Sequence, residues 1–428
     1  MFTNTFAPLV GGIEKSVATF AEDLRALGNE VLTVTLQQDD DDRTEPGTLR
    51  LPALPRFAGG PYACPLPGAV GLDRALDEFR PEVLHAHQPF LLGDSAYRHA
   101  VRRGLPLVFT NHTLYERYAD RTFLGEFAGL ERAARKLAVV YANRCEAVIA
   151  PTQSIADILH GQGVTPDIAV VPTGIDVDRF ARGDGAAFRQ RHGIPADAFV
   201  AGHLGRLIPA KNVGFLAGAV AEFLRREPRG WALFCGEGQS VDEIREAFRA
   251  AGVEERLIML GVLAPAEIAD AYAAMDVFAF ASLTDTQGIV LLEAMAAGTP
   301  VMALRATGPQ DLVVDGVSGR LLDPRVTGDE FAQGLVEESR IDDRTPLREA
   351  ARRRAGAFDR RACAEQLVEV YESARRRLLA TERPSEPAES VLDEFQRRVE
   401  AEWELFAGRA AILRALLPSR GFPEIGGA

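Results

Sequence analysis

Five side chains in this sequence are of types and spacings that do chemistry: His112, Arg206, Lys211, Asp285 and Glu293. Arg206 and Lys211 lie in Gly205-Arg206-Leu207-Ile208-Pro209-Ala210-Lys211-Asn212, a turn that follows an apolar run and leads into a helical pattern. Two cations around such a turn are what a departing diphosphate needs when no metal ion neutralises it. A solvated surface pair is the plainer alternative. Thr284 to Met295 reads as a glycine-bearing turn after a strand ending at Ser282, with a helix opening near Gly288. The free N–H groups of Gly288, Ile289 and Val290 then form an anion cradle backed by the helix dipole. Asp285 precedes the turn and Glu293 lies one to two helical turns beyond it, with Gln287 between them as a further donor contact. That spacing fits two separate hydroxyl-rich moieties, a sugar and a ribose, better than an acid/base dyad.

Three weaker signals accompany these. Leu9-Val10-Gly11-Gly12-Ile13-Glu14 places Gly11 and Gly12 where a backbone can approach an anion at a helix N-terminus, although G-x-G-x-x-G is absent. Gly236-Glu237-Gly238 ends a strand and points to a close backbone approach by a nucleotide, with Glu237 at its centre. His112, just after Leu107–Thr110, lands at the carboxyl edge of a sheet, where an imidazole can hydrogen-bond a sugar hydroxyl. His85 and His87 also end a strand, but no carboxylate or Cys is spaced to complete a metal site with them. They read as wall or loop-fixing residues. The acidic run Asp39–Asp42 reads as a solvated loop.

The elements that must carry these residues are short β-branched runs alternating with helical patterns, which predicts parallel sheets covered by helices. The strand candidates are Val31–Thr35, Val83–Ala86, Leu107–Thr110, Ala147–Ala150 and Ile168–Val171, then Phe199–Leu204, Trp231–Cys235, Leu257–Leu260, Val277–Phe280, Pro300–Leu304 and Gly319–Leu322. Pro172–Gly185 reads as an interdomain linker. The expectation is an α/β chain of two doubly wound, Rossmann-like domains, 1–177 and 178–360, facing a cleft. A crossover helix, 361–380, and an extension, 381–428, follow them. Too few strand residues precede the Gly-Gly turn, so the first strand reads as incomplete or as a short edge strand. In the extension, Leu392, Phe395, Val399, Trp403, Phe406, Ala410, Leu413 and Leu417 form one helical stripe, opened by a capping-box pattern at Ser390. Packing against its own protein is the plainest use of that stripe; a homodimer contact or a membrane-surface contact are the others.

With the motifs in place, the sequence resembles the family-4 retaining glycosyltransferases of GT-B fold over roughly residues 1–375. The ordered set GGIE, NHT, PTGID, GRLIPAKN, GEG and D-x7-E carries the resemblance. It implies that Gly12, Arg206 and Lys211 hold the donor diphosphate, that Glu293 meets ribose hydroxyls and that His112 meets the primary hydroxyl of the donor sugar. Where that family has a first glutamate, this chain has Asp285, one methylene shorter, which bears on which sugar is accepted. The resemblance also implies a UDP-sugar donor, no cofactor, and retention by front-face displacement in which the leaving phosphate helps deprotonate the acceptor. NHTLYERYAD further resembles diacylglycerol glucosyltransferases, which points to a lipid acceptor, with a saccharide precursor as the rival. The basic helix with which those enzymes dock on anionic lipid is weak here. Arg117–Lys136 holds five basic and three acidic residues, with Phe123, Leu124 and Phe127 as shallow-insertion candidates. A nucleotide-sugar 2-epimerase and a non-catalytic nucleotide-sugar sensor are the competing classes.

Bulk composition narrows the field. A length of 428 residues implies two or three domains. A net charge of −13 is the wrong sign for broad nucleic-acid binding. Four scattered cysteines without C-x-x-C argue against a zinc site or disulfide framework and fit a reducing cytoplasm. No signal peptide or spanning segment is legible, so the expected location is cytoplasmic, peripheral at the inner membrane face.

Overall fold

The computed structural model describes residues 1–9, 11–37, 45–54, 64–65, 71–114, 130–380 and 402. Val10, the Asp39–Asp42 run, Tyr115 to Phe127 with the proposed insertion residues, and the helical stripe of 392–417 lie outside the described residues.

The first sheet is built from β1 (Thr33–Leu36), β2 (Thr48–Leu51), β5 (Leu84–Ala86), β6 (Leu107–Thr110), β7 (Ala147–Ala150) and β8 (Ile168–Val170). A two-residue antiparallel ladder of β3 (Ala53–Leu54) with β4 (Cys64–Pro65) lies apart. The strands β5, β6, β7 and β8 run parallel in that order, and β1 pairs in parallel with β2. Residues 1–3 join the two groups. Phe2 N–H donates to the His85 carbonyl (2.7 Å), Thr3 N–H to that of Val34 (3.0 Å), and His87 N–H to that of Phe2 (2.9 Å). The short first segment, which the sequence left open as an incomplete strand or a short edge strand, is central and hydrogen-bonded on both sides, which is why Phe2 is buried.

The second sheet comprises β9 (Phe199–Leu204), β10 (Gly230–Cys235), β11 (Leu257–Leu260), β12 (Val277–Phe280), β13 (Val301–Leu304) and β14 (Gly319–Leu322). Its order is β11-β10-β9-β12-β13-β14, all parallel. Alternate residues feed opposite cores: Leu233 and Cys235 pack with Tyr272, Phe278 and Met295, while Ala232 and Phe234 pack with Phe223, Phe248 and Phe331. Both faces are covered, so its strands read as unbroken apolar runs. The strand order reverses between β9 and β12, and a doubly wound sheet binds its ligand at the carboxyl ends beside such a point.

The Pro172–Gly185 stretch is more ordered than a linker. Asp176 accepts Arg179 N–H (2.9 Å) to start the helix Val177–Ala181, and Asp184 accepts Ala187 N–H (2.9 Å) to start Gly185–Arg191. Asp176 and Asp184 are thus N-caps. The chain crosses between domains a second time beside Ile175, whose N–H donates to Phe358 O (3.0 Å) and whose carbonyl accepts Arg360 N–H (3.1 Å). The helix Arg360–Ala380 then packs Cys363, Leu367 and Ala374 against Phe20, Leu24, Val108 and Ile149 of the first domain. Arg360 pairs there with Asp23 (2.5 Å) and Glu22 (2.7 Å). No helix among the described residues is long and apolar enough to cross a membrane.

Candidate active site

On the second domain the site is made by the loops after β9, β10 and β12. A methyl group on Gly236 would strike the carbonyl of Gly205, and one on Gly238 that of Leu207, so the loop carrying Arg206 lies backbone-on-backbone against the loop carrying Glu237. Leu207 N–H donates to the Glu237 carbonyl at 2.8 Å, fixing that stacking. A short 3-10 turn, Pro209–Lys211, swings Lys211 back toward β12, where its Nζ lies 2.5 Å from Oδ1 of Asp285. Burial pushes the Asp285 carboxyl upward in pKa, but Lys211, a Ser282 hydrogen bond and the charge of Arg206 outweigh it, so the net shift is downward and the group is ionised. Its Oδ2 has no hydrogen-bond partner among the described residues, and Arg206 is exposed beside it. A buried carboxylate oxygen in that state is poised to accept from a hydroxyl.

Beyond Asp285 the chain turns through Gly288, whose φ of 85° and ψ of 58° are left-handed, and enters the helix Ile289–Ala296. Glycine takes that conformation without strain. Glu293 lies on this helix with its side chain 2% exposed. Its Oε2 accepts the hydroxyl of the fully buried Tyr272 (2.9 Å), and its Oε1 pairs with Lys15 Nζ. Lys15 belongs to the first turn of the helix Gly12–Ala26, which is capped by Gly11 in extended conformation. The helix that opens at the Gly-Gly turn of one domain thus meets the apolar helix of the other that carries Glu293. Although its side chain is partly open to water, desolvation by the protein around it, with the charge of Arg179 adding to that, lowers the Lys15 ammonium to about 8, so it still carries its charge at neutral pH.

More contacts tie the two halves of the site. The Thr286 hydroxyl donates to the His112 carbonyl (3.0 Å), bringing Asp285 and His112 onto adjoining loops. Thr152 Oγ1 donates to Thr286 O (2.9 Å). Gln287 was placed with the donor-contacting residues from sequence. Its side-chain amide instead spans the backbone of Thr173, accepting from its N–H (2.9 Å) and donating to its carbonyl (2.8 Å). Thr173 in turn donates its hydroxyl to Ser16 (2.6 Å). Gln287 therefore holds the domains together at the crossing segment. His85 and His87 are both buried, and His87 meets His112 at 2.9 Å. Sequence reasoning passed over Lys15, Tyr272 and Thr173. Lys15 carried a signal as a cation one turn into a helix that opens on a Gly-Gly turn, and Thr173 lies within the PTGID motif.

The whole arrangement is that of two doubly wound domains meeting at their carboxyl edges, the GT-B architecture. A solved structure of the Anabaena protein HepE in complex with UDP-glucose superimposes with a TM-score of 0.69 at 24% identity, covering 87% of this chain and 98% of that one. Residues 10–179 match the profile of Glycosyltransferase Family 4 and residues 184–355 that of Glycosyl transferases group 1. The GDP-mannose-dependent alpha-mannosyltransferase of Mycolicibacterium smegmatis is 30% identical over 377 residues, 86% of this chain and 95% of the relative. The alpha-monoglucosyldiacylglycerol synthase of Streptococcus pneumoniae is 28% identical over 330 residues, 75% of this chain and 74% of the relative. The chain belongs to the family-4 glycosyltransferases, and it is an enzyme that transfers a sugar from a nucleotide sugar.

Proposed function

We propose that this enzyme moves a hexose from a UDP-sugar to a lipid or saccharide hydroxyl, with retention at the anomeric carbon and without a metal ion. The bond from C1 to the diphosphate oxygen breaks as the acceptor oxygen bonds to C1 from the same face. The acceptor proton passes to the departing phosphate. Arg206, Lys211 and the N–H groups of Gly288, Ile289 and Val290 take up the charge that develops on the diphosphate, facing Gly11 and Gly12 across the cleft. Asp285 and His112 receive sugar hydroxyls, and Glu293 receives the ribose. The observation that carries the reading is the Lys211–Asp285 pair with exposed Arg206 beside it. It is a cation that can leave a carboxylate for a phosphate while the carboxylate turns to a hydroxyl.

The decisive experiment is a calorimetric titration against UDP-, GDP- and ADP-sugars with and without EDTA. Micromolar binding of a UDP-sugar that EDTA leaves unchanged is expected. Tighter binding of a GDP-sugar, the donor named for the mannosyltransferase relative, overturns the uridine assignment, and loss of binding in EDTA overturns the metal-free one.

The name of the diacylglycerol synthase relative supports a lipid acceptor over a saccharide, and a lipid acceptor would bring a cytoplasmic enzyme to the inner membrane face as a peripheral protein. Flotation with vesicles containing anionic lipid and diacylglycerol is expected to carry part of the protein upward. Protein remaining wholly in the soluble fraction, with transfer only to soluble saccharides, gives the acceptor role to the rival.

A further inference from the structure

Behind His112 stands a second imidazole that the reaction as written does not use. His87 follows β5 and is fully buried, with its Nδ1 2.9 Å from Nε2 of His112. The rings lie 20° from parallel with centroids 5.2 Å apart. On its other side His87 faces His85, at 4.1 Å between centroids. His85 is itself fixed at both nitrogens, Nδ1 by the hydroxyl of Tyr371 (2.7 Å) and Nε2 by that of Thr110 (2.7 Å). His87 is therefore wedged between an anchored ring and His112, and its own Nε2 has no partner among the described residues.

Burial holds both rings neutral, lowering His112 to about 4 and His87 well below its ordinary value. A neutral imidazole has one N–H and one bare nitrogen, so the 2.9 Å approach is a single N–H···N bond whichever ring donates. In both cases Nε2 of His112 is engaged. The nitrogen left over is Nδ1, which has no hydrogen bond to any described residue and is not among the buried polar atoms. His112 sits on the loop after β6, and the Thr286 contact fixes only its backbone carbonyl. The ring itself is tethered through His87.

We infer that His87 is a positioning residue for sugar transfer: by tying Nε2 of His112 it fixes that ring so that Nδ1 is the atom offered to the donor-sugar hydroxyl. The inference rests on His112 being a sugar contact. Its physical basis is that of any outer-shell partner that sets the rotation and tautomer of a working imidazole.

Side-chain geometry supplies the test. The amide nitrogen of Asn occupies the position of histidine Nδ1, whereas that of Gln occupies the position of Nε2. His87→Leu and His87→Gln are expected to lower kcat by about 10- to 100-fold, the usual range for an orienting partner. UDP affinity should stay within about twofold, because His87 touches no diphosphate or ribose residue. His87→Asn should recover most of the lost kcat. In a His112→Ala background His87→Leu should cause no further loss. The 15N resonance of His112 Nε2 should move in the Leu and Gln variants and stay in the Asn variant. If His112→Ala is severely impaired while folded His87→Leu and His87→Gln turn over normally, the positioning role is overturned and the sugar contact stands. If His112→Ala itself turns over normally, the underlying reading of His112 falls, whatever the 15N spectrum shows.

Discussion

Lys211→Ala is expected to slow sugar transfer by a hundredfold or more. An electrostatic donor aimed at charge developing in the transition state is worth about 3–4 kcal/mol, or on the order of 10² to 10³ in rate. The loss should appear in kcat rather than only in KM, since the diphosphate gains charge as the glycosidic bond breaks. The structure adds a consequence for stability. Lys211 and Asp285 are 20% and 17% exposed, so removing the cation strands a mostly buried carboxylate, at a cost of about 3–5 kcal/mol. Asp285 is depressed below its ordinary 3.8 in the folded protein, so its contribution is present above about pH 4 and is lost as pH falls through the folded value. Without Lys211 that depression shrinks or reverses, so the variant should lose less stability than the parent, each relative to its own value at pH 7, as the pH falls. Urea unfolding from pH 7 to pH 3 measures this. Adding Asp285→Asn to Lys211→Ala should restore the urea midpoint without restoring turnover. Near-normal kcat in Lys211→Ala sinks the diphosphate assignment.

The strands and the glycine-bearing turns at their carboxyl ends were legible because each is written in adjacent residues. β9 through β14 match the apolar runs almost residue for residue, and the turn at Gly288 announces itself by glycine before a helical pattern. What escaped was pairing across the chain. Lys15 and Glu293 are separated by 278 positions and Thr173 and Gln287 by 114, and nothing local to either end names its partner. Gln287 illustrates the resulting error. Beside Asp285 and Gly288 it looked like a ligand contact, yet a buried primary amide needs both a donor and an acceptor, and the Thr173 backbone supplies both. The place of the first strand in its sheet was hidden for a related reason. Its few residues fitted an incomplete strand or a short edge, whereas Phe2 is held in the centre by Val34 on one side and by Ala86 and its neighbours on the other. Position within a sheet depends on topology, which periodicity does not encode.

Glu293→Ala should abolish micromolar nucleotide binding and also destabilise the fold, and two substitutions at this position separate those effects. Alanine leaves the hydroxyl of Tyr272, which is fully buried, without its acceptor, at about 1–3 kcal/mol. The ammonium of Lys15 suffers less, because its side chain is 45% exposed and water can replace the carboxylate. Glu293→Gln keeps an oxygen for Tyr272 and removes only the charge. Its thermal midpoint should therefore stay close to that of the parent, while Lys15 loses its counter-ion across the domain boundary. Nucleotide binding in this variant should fall by about tenfold or more, because a charged acceptor to a ribose hydroxyl is roughly twice as strong as a neutral one. Lys15→Met provides the control. It removes the same interdomain pair but leaves the Glu293 carboxylate intact for the ribose. If Glu293→Gln weakens binding and Lys15→Met does not, the carboxylate acts on the nucleotide directly. Equal weakening in both means that Glu293 acts by holding the domains together, and the ribose contact belongs to another group.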